Sequence, residues 1–139
     1  MDSSISDDFG RSGIGVLERL LDSVILIDHL NDIDQATKFI LSLDPEKTAI
    51  SVITRAEILV GIEESDEGLV KAFLDQYHLF GIDKEVADLA ATLRRNHSWK
   101  LPDAFQAAIA INNNIKLTTR NTKDFDPAKH NFIEIPYSL

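Results

Sequence analysis

Three acidic residues lie just past a predicted strand or at the opening of a predicted helix. They are Asp22, Glu57 and Asp103, and a polar cluster at residues 121–124 (Asn-Thr-Lys-Asp) follows a further predicted strand. The carboxyl ends of parallel strands meet at one edge of a sheet, so we expect these side chains to converge although they are far apart in sequence. Carboxylates gathered in one place repel one another and therefore imply a cation.

Carboxylate ligands without His or Cys favour a hard cation, Mg²⁺ or Mn²⁺, over Zn²⁺. Such a cation can orient a phosphate, make an attacking water more acidic and neutralise charge on a leaving oxygen. The chain has no cysteine, which excludes thiolate ligands and a thiol nucleophile. Its four histidines share no spacing with the acids and are predicted to be structural: His29, His78, His97 and His130.

Each acid also has a structural explanation that involves no chemistry. Asp22 can cap the helix that follows it, and Thr54 with Glu57 has the spacing of a capping box. Asp103 falls in the first turn of a predicted helix, where an acid complements the helix dipole. The polar cluster can be another cap. Position by position the sequence predicts caps, and only the convergence of the acids at one edge favours a site.

Hydrophobic periodicity places these residues on alternating strands and helices. Strands are predicted at residues 17–21, 48–52, 78–82, 115–119 and 132–135. Helices are predicted at residues 23–30, 34–43, 54–64, 69–77, 84–97 (with Asp83 as the cap) and 102–113. Strands that alternate with helices predict an α/β fold with a parallel sheet. Residues 1–16 are predicted to be a flexible leader, and residues 17–139 a single domain.

Charge is unevenly distributed along the chain. The net charge of the 139 residues is −9, which argues against a general nucleic-acid binder. Residues 1–89 carry a formal charge of −12 and residues 90–139 one of +3, so the second part can present a local anion-binding face. No apolar run approaches the roughly 20 residues of a membrane span, and we expect a cytoplasmic protein that does not bind membranes.

Four segments resemble the motifs of one enzyme family, in order. They read LDSVILID at 21–28, ISVITRAEILVG at 50–61, LPDAFQAAIA at 101–110 and LTTRNTKDF at 117–125. They are similar to the motifs of the PIN-domain ribonucleases, and the resemblance extends over residues 17–137. The chain length and the motif sequences are most similar to those of VapC, the toxin of VapBC toxin–antitoxin pairs.

The resemblance implies a PIN-like α/β/α sandwich with a central parallel sheet. It further implies an endoribonuclease that depends on Mg²⁺ or Mn²⁺ and hydrolyses RNA phosphodiester bonds. An antitoxin whose C-terminal segment covers the site would be the partner, and the protein would be a homodimer.

Carried over to this chain, the resemblance makes Asp22, Glu57 and Asp103 the metal-binding acids. Asp22 and Asp103 would hold the cation directly, and Glu57 would support it. A water would then attack phosphorus in line, while the metal stabilises the departing oxygen.

The fourth acidic position and the substrate contacts follow the family pattern less closely. Many relatives have Asp where this chain has Asn121, and Asp124 lies three residues further on, so both remain candidates for the catalytic set. Arg120 is expected to bind the RNA backbone, with Ser23 as a second substrate contact. Val24 replaces the usual Asn, which removes one polar contact.

Two rival functions remain at the level of sequence. A PIN-like module that has lost its activity and serves protein assembly would fit Asn121 and the acidic surface, although three retained acids speak against it. A phosphatase with an aspartyl-phosphate intermediate fits less well, because such enzymes need an Asp two residues after the first one, and position 24 is Val.

Overall fold

The computed structural model describes residues 16–139. The predicted leader, residues 1–16, lies outside the described residues except for Val16. Within residues 16–139, no helix is long and apolar enough to cross a membrane.

Five short strands form one parallel sheet. They are β1 (Arg19–Leu21), β2 (Thr48–Ser51), β3 (His78–Phe80), β4 (Lys116–Thr118) and β5 (Ile133–Glu134). Their order across the sheet is β3-β2-β1-β4-β5, and every neighbouring pair is parallel. The chain moves outward from β1 to β3 and then returns past β1 to β4. The direction therefore switches between β1 and β4, where parallel α/β sheets open their ligand-binding crevice.

Helices cover both faces of the sheet. They are α1 (Ser23–Leu30), α2 (Asp34–Leu41), α3 (Val52–Gly61), α4 (Glu67–Leu74), α5 (Lys84–His97) and α6 (Leu101–Asn112). Successive strand residues point to opposite faces. Leu20 and Ala49 accordingly pack in a cluster with α5 and α6, whereas Leu21 and Ile50 pack with α1 to α4. The predicted α/β/α arrangement is confirmed.

Two of the predicted helix caps are present in the structure, and a third lies at a different residue. The Asp22 carboxylate accepts from the Ser23 N–H, which begins α1, and the Asp83 carboxylate caps α5. Helix α3, however, begins at Val52, and the Ser51 hydroxyl accepts from the Thr54 N–H at 3.1 Å. The capping-box explanation of Glu57 is therefore wrong, because the cap lies three residues before the predicted one.

Candidate functional site

Asp22 lies at the switch point, directly after the central strand β1. Its main-chain N–H donates to the Thr118 carbonyl oxygen at 2.9 Å. Its Oδ1 accepts from the Ser23 N–H at 2.8 Å. The cap leaves the carboxylate available for chemistry, because an ionised carboxylate can accept about four hydrogen bonds.

Two further side chains orient the Asp22 carboxylate, which is 7% exposed. Thr119, the residue after β4, donates from Oγ1 to Oδ2 at 2.8 Å. Gln106 on α6 places its Nε2 3.5 Å from Oδ1. Burial raises the pKa of Asp22, and these hydrogen bonds oppose the rise. The carboxylate is thus held in one orientation where β1 and β4 end.

Asp103 lies in the first turn of α6 and is half-buried. Burial, together with neighbouring negative charge, raises its pKa to about 6. The charges that raise this pKa belong to three other carboxylates, Asp22, Asp124 and Glu57, while Lys100 lowers it. Three acids from distant parts of the chain therefore lie near enough to Asp103 for their charges to affect its pKa.

A cleft of about 430 Å³ opens beside Asp22 and Asp103. Its lining residues are Asp22, Ser23, Val24, Asp103, Arg120, Asn121, Thr122 and Lys123. Glu57 lies exposed on α3, and neither Glu57 nor Asp124 lines this cleft. The structure thus brings five of the predicted site residues to one cleft and leaves two at its periphery, where their charges still affect Asp103.

The loop after β4 is closed by Asn121. Its Oδ1 accepts from the Asp124 N–H at 3.3 Å, and its Nδ2 donates to the Asp124 carboxylate at 3.0 Å. The Trp99 indole N–H donates to the Asp124 carbonyl oxygen at 2.9 Å and fixes the loop from the other side. The Asn121 side chain thus forms the turn and orients the Asp124 carboxylate.

Arg120 binds a buried carboxylate on α1. Its Nε and Nη2 donate to the two oxygens of Asp28 at 2.6 and 3.0 Å. The Tyr137 hydroxyl donates to the same carboxylate at 2.8 Å. The hydrogen bond from Arg120 holds the pKa of Asp28 below its ordinary value. Arg120 therefore lines the cleft with its guanidinium already fixed in place.

The donor set at the cleft suits a hard divalent cation, because it offers carboxylate oxygens and no sulfur. Burial raises the pKa of Asp103, and the charges of three neighbouring carboxylates raise it further, so a bound cation would relieve the repulsion at this carboxyl. Within residues 16–139, no three His, Cys, Asp or Glu side chains are grouped tightly enough to hold a metal ion as they stand. Asp22 and Asp103 could bind a cation directly, with further ligands from water or substrate.

Two polar residues of the site were not predicted as functional. Thr119 bears its hydroxyl directly after β4, at the edge where the acids converge. Gln106 follows Asp103 by three residues, the spacing that places two side chains on one helix face. It is a polar residue in a buried stretch that is otherwise alanine and isoleucine, Ala104 to Ala110 apart from the half-buried Phe105. That contrast was the available signal.

The PIN domain family model matches residues 19–130. The chain therefore belongs to the PIN domain family, and the resemblance found in its four motifs is confirmed. A chain in a toxin–antitoxin complex from Klebsiella pneumoniae is 32% identical, with a TM-score of 0.80 over 88% of this chain and 100% of that one. No curated protein sequence matches the chain.

Solved structures of lower identity show the same fold. FitAcB from Neisseria gonorrhoeae is 22% identical, with a TM-score of 0.72 over 87% of this chain and 99% of that one. DNA-bound VapBC from Salmonella typhimurium is 21% identical, with a TM-score of 0.69 over 86% of this chain and 98% of that one. These similarities confirm the PIN-like architecture.

Proposed function

We propose that the protein is an endoribonuclease that depends on Mg²⁺ or Mn²⁺ and hydrolyses RNA phosphodiester bonds as the toxin of a toxin–antitoxin pair. One observation carries the proposal: Asp22 and Asp103 line the same cleft, and the pKa of Asp103 is raised to about 6 by burial and by three other carboxylates. The Klebsiella relative supports the toxin assignment, since it belongs to a toxin–antitoxin complex.

In this proposal Asp22 and Asp103 bind the cation directly, and Glu57 supports it from α3. When bound, the cation increases the acidity of the attacking water and stabilises the leaving oxygen. The chain supplies the orientation: Ser23 and Thr119 fix the Asp22 carboxylate by hydrogen bonds at 2.8 Å each. A cation would also favour ionised Asp103, because an adjacent positive charge lowers the pKa of a carboxyl.

Asp124 is the better candidate for the fourth acidic position. Its charge raises the pKa of Asp103, whereas both polar atoms of the Asn121 side chain are used within the loop. Asn121 then orients Asp124 and is a positioning residue, without contact to the cation.

Arg120, Lys123 and Ser23 provide the polar contacts for the RNA backbone at the cleft. Phosphates are bound mainly by basic side chains, hydroxyls and main-chain N–H groups. Because Asp28 fixes Arg120 beforehand, little side-chain entropy is lost when the guanidinium meets a phosphate. Cytoplasmic location, a homodimer and an antitoxin that covers the cleft complete the proposal.

The second candidate is an inactive PIN-like module that serves protein assembly. The observation that favours it is the lack, within residues 16–139, of three acids grouped tightly enough for a metal ion. The two candidates differ in whether the folded protein binds a divalent cation.

Calorimetric titration with Mn²⁺ tests the proposal without knowledge of the RNA sequence. Wild type and Asp103→Asn are compared, with circular dichroism to show that both are folded. Asp88→Asn, the same change at an exposed acid of α5 outside the cleft, is the matched control. We expect binding by wild type and Asp88→Asn, loss of binding by Asp103→Asn, and RNA cleavage that EDTA abolishes. A folded wild type that binds no Mn²⁺ with or without RNA would support the assembly module.

A further inference from the structure

One buried amide connects the three elements that carry the predicted metal ligands. Gln106 is 2% exposed on α6, three residues after Asp103. Its Nε2 donates to the Thr54 hydroxyl at 2.5 Å, and the same nitrogen lies 3.5 Å from Asp22 Oδ1. Thr54 is fully buried on α3, three residues before Glu57. The amide thus joins the end of β1 to α3 and α6.

The other end of this amide has no hydrogen-bond partner. Oε1 of Gln106 is the buried side-chain atom, among the described residues, that is left without one. A buried polar atom that loses its water without gaining a hydrogen-bond partner destabilises the folded protein. The Thr54 hydroxyl can donate or accept and therefore fits either orientation of the amide, whereas reversal would direct Oε1 at an Asp22 carboxylate oxygen, which is also an acceptor. The orientation is therefore set by Asp22.

An apolar residue of similar shape would leave no unsatisfied polar atom of its own at position 106. Such a residue would remove the unsatisfied oxygen, while Asp22 would keep its hydrogen bonds from Ser23 and Thr119 and the Thr54 hydroxyl would keep the Ser51 hydroxyl at 3.5 Å. Ala107, Ala108 and Ile109, which follow on the same helix, are fully buried. Packing alone therefore does not explain a glutamine at position 106, whereas its hydrogen bonds to the site do.

We propose that Gln106 is a positioning residue for the metal site. It fixes the Asp22 carboxylate relative to Thr54 on the helix that carries Glu57, so that the carboxylates of Asp22, Asp103 and Glu57 face one divalent cation. This inference rests on the proposed function and adds a residue to it. Partners that orient metal ligands typically contribute 10–100-fold to metal affinity.

The test separates metal affinity from stability. Gln106→Met removes the amide and keeps an unbranched side chain of similar length, and Gln106→Leu is a second apolar change in case one of the two packs poorly. Ile109→Val, a buried change one turn later, is the control. Mn²⁺ affinity is measured by calorimetry and stability by the urea midpoint.

For both Gln106 variants we expect a urea midpoint equal to or above that of wild type and a Mn²⁺ affinity lower by about tenfold or more. Ile109→Val should show the reverse, with a lower midpoint and unchanged affinity. Gln106 variants that bind Mn²⁺ as tightly as wild type would overturn the inference, and so would affinity lost only where the fold is lost. If wild type itself binds no Mn²⁺, the proposed function fails, and this role of Gln106 fails with it.

Discussion

Arg120 and Asp28 form a two-point ion pair between residues 92 positions apart, at 2.6 and 3.0 Å. The pair joins the loop after β4 to helix α1, and Tyr137 adds the C-terminal segment through its hydroxyl. Two of the three guanidinium nitrogens serve this contact. Arg120 thus has a structural task alongside its predicted contact with substrate.

Asp28→Asn should destabilise the protein at pH 7 by about 1–3 kcal/mol, because it leaves Arg120 without its ionic partner. Water around the partly exposed guanidinium offsets part of this loss. Urea unfolding measures the loss. The pKa of Asp28 is lowered in the folded state, so its stabilisation is present above the ordinary value of 3.8 and lost as pH falls through the lowered value. The difference between variant and wild type should therefore vanish in strong acid. Tyr137→Phe, which removes one hydrogen bond to the same carboxylate, should lose less.

Asp103→Asn should gain stability relative to wild type as pH rises, when both are measured in EDTA. Folding raises the pKa of Asp103 to about 6, so the folded state binds more protons than the unfolded state between pH 4 and 6. Wild type loses that contribution as pH rises through this window, whereas the variant has no carboxyl to titrate. Unfolding midpoints at pH 4 and pH 7 measure the effect. An equal difference at both values would contradict the raised pKa.

Thr119→Val should reduce Mn²⁺ affinity by about 10–100-fold, as expected for a residue that orients a metal ligand, and RNA cleavage should fall with it. The substitution removes the hydroxyl that donates to Asp22 and accepts from the Asn121 N–H. Thr119→Ser keeps the hydroxyl and should retain most of the activity. Equal losses in both variants would indicate that the methyl group matters instead.

Asp124→Asn should reduce RNA cleavage more than Asn121→Ala does, because the former removes a charge near Asp103 and the latter only the group that orients Asp124. We expect a loss of about tenfold or more for Asp124→Asn. Cleavage rates at saturating Mn²⁺ measure both. The opposite ranking would assign the fourth position to Asn121.

The sequence predicts the order of helices and strands, because the hydrophobic period follows directly from which side chains are buried. The convergence of acids at one sheet edge follows in the same way from parallel strands. Element ends are predicted less well. Ser51 ends β2 and also caps α3, so the strand passes directly into the helix, and no turn residue marks the boundary that was expected at Thr54.

Polar contacts between distant segments were not predicted. Nothing local to Gln106 or Thr54 indicates that they meet across 52 residues. The pairing of Arg120 with Asp28 could not be predicted either, since the sequence does not distinguish an arginine that forms an ion pair from an exposed one. Such partners depend on the three-dimensional packing of side chains, which periodicity does not encode.

The pairing of β1 with β4 has a consequence for synthesis. Asp22 receives its main-chain and side-chain partners from residues 118 and 119, so an emerging chain that already includes α3 and its Glu57 still has an incomplete cleft. Non-local strand pairs close late, after the intervening chain is available. Translation must therefore pass β4, and that strand must clear the ribosome, before any copy has a complete cleft.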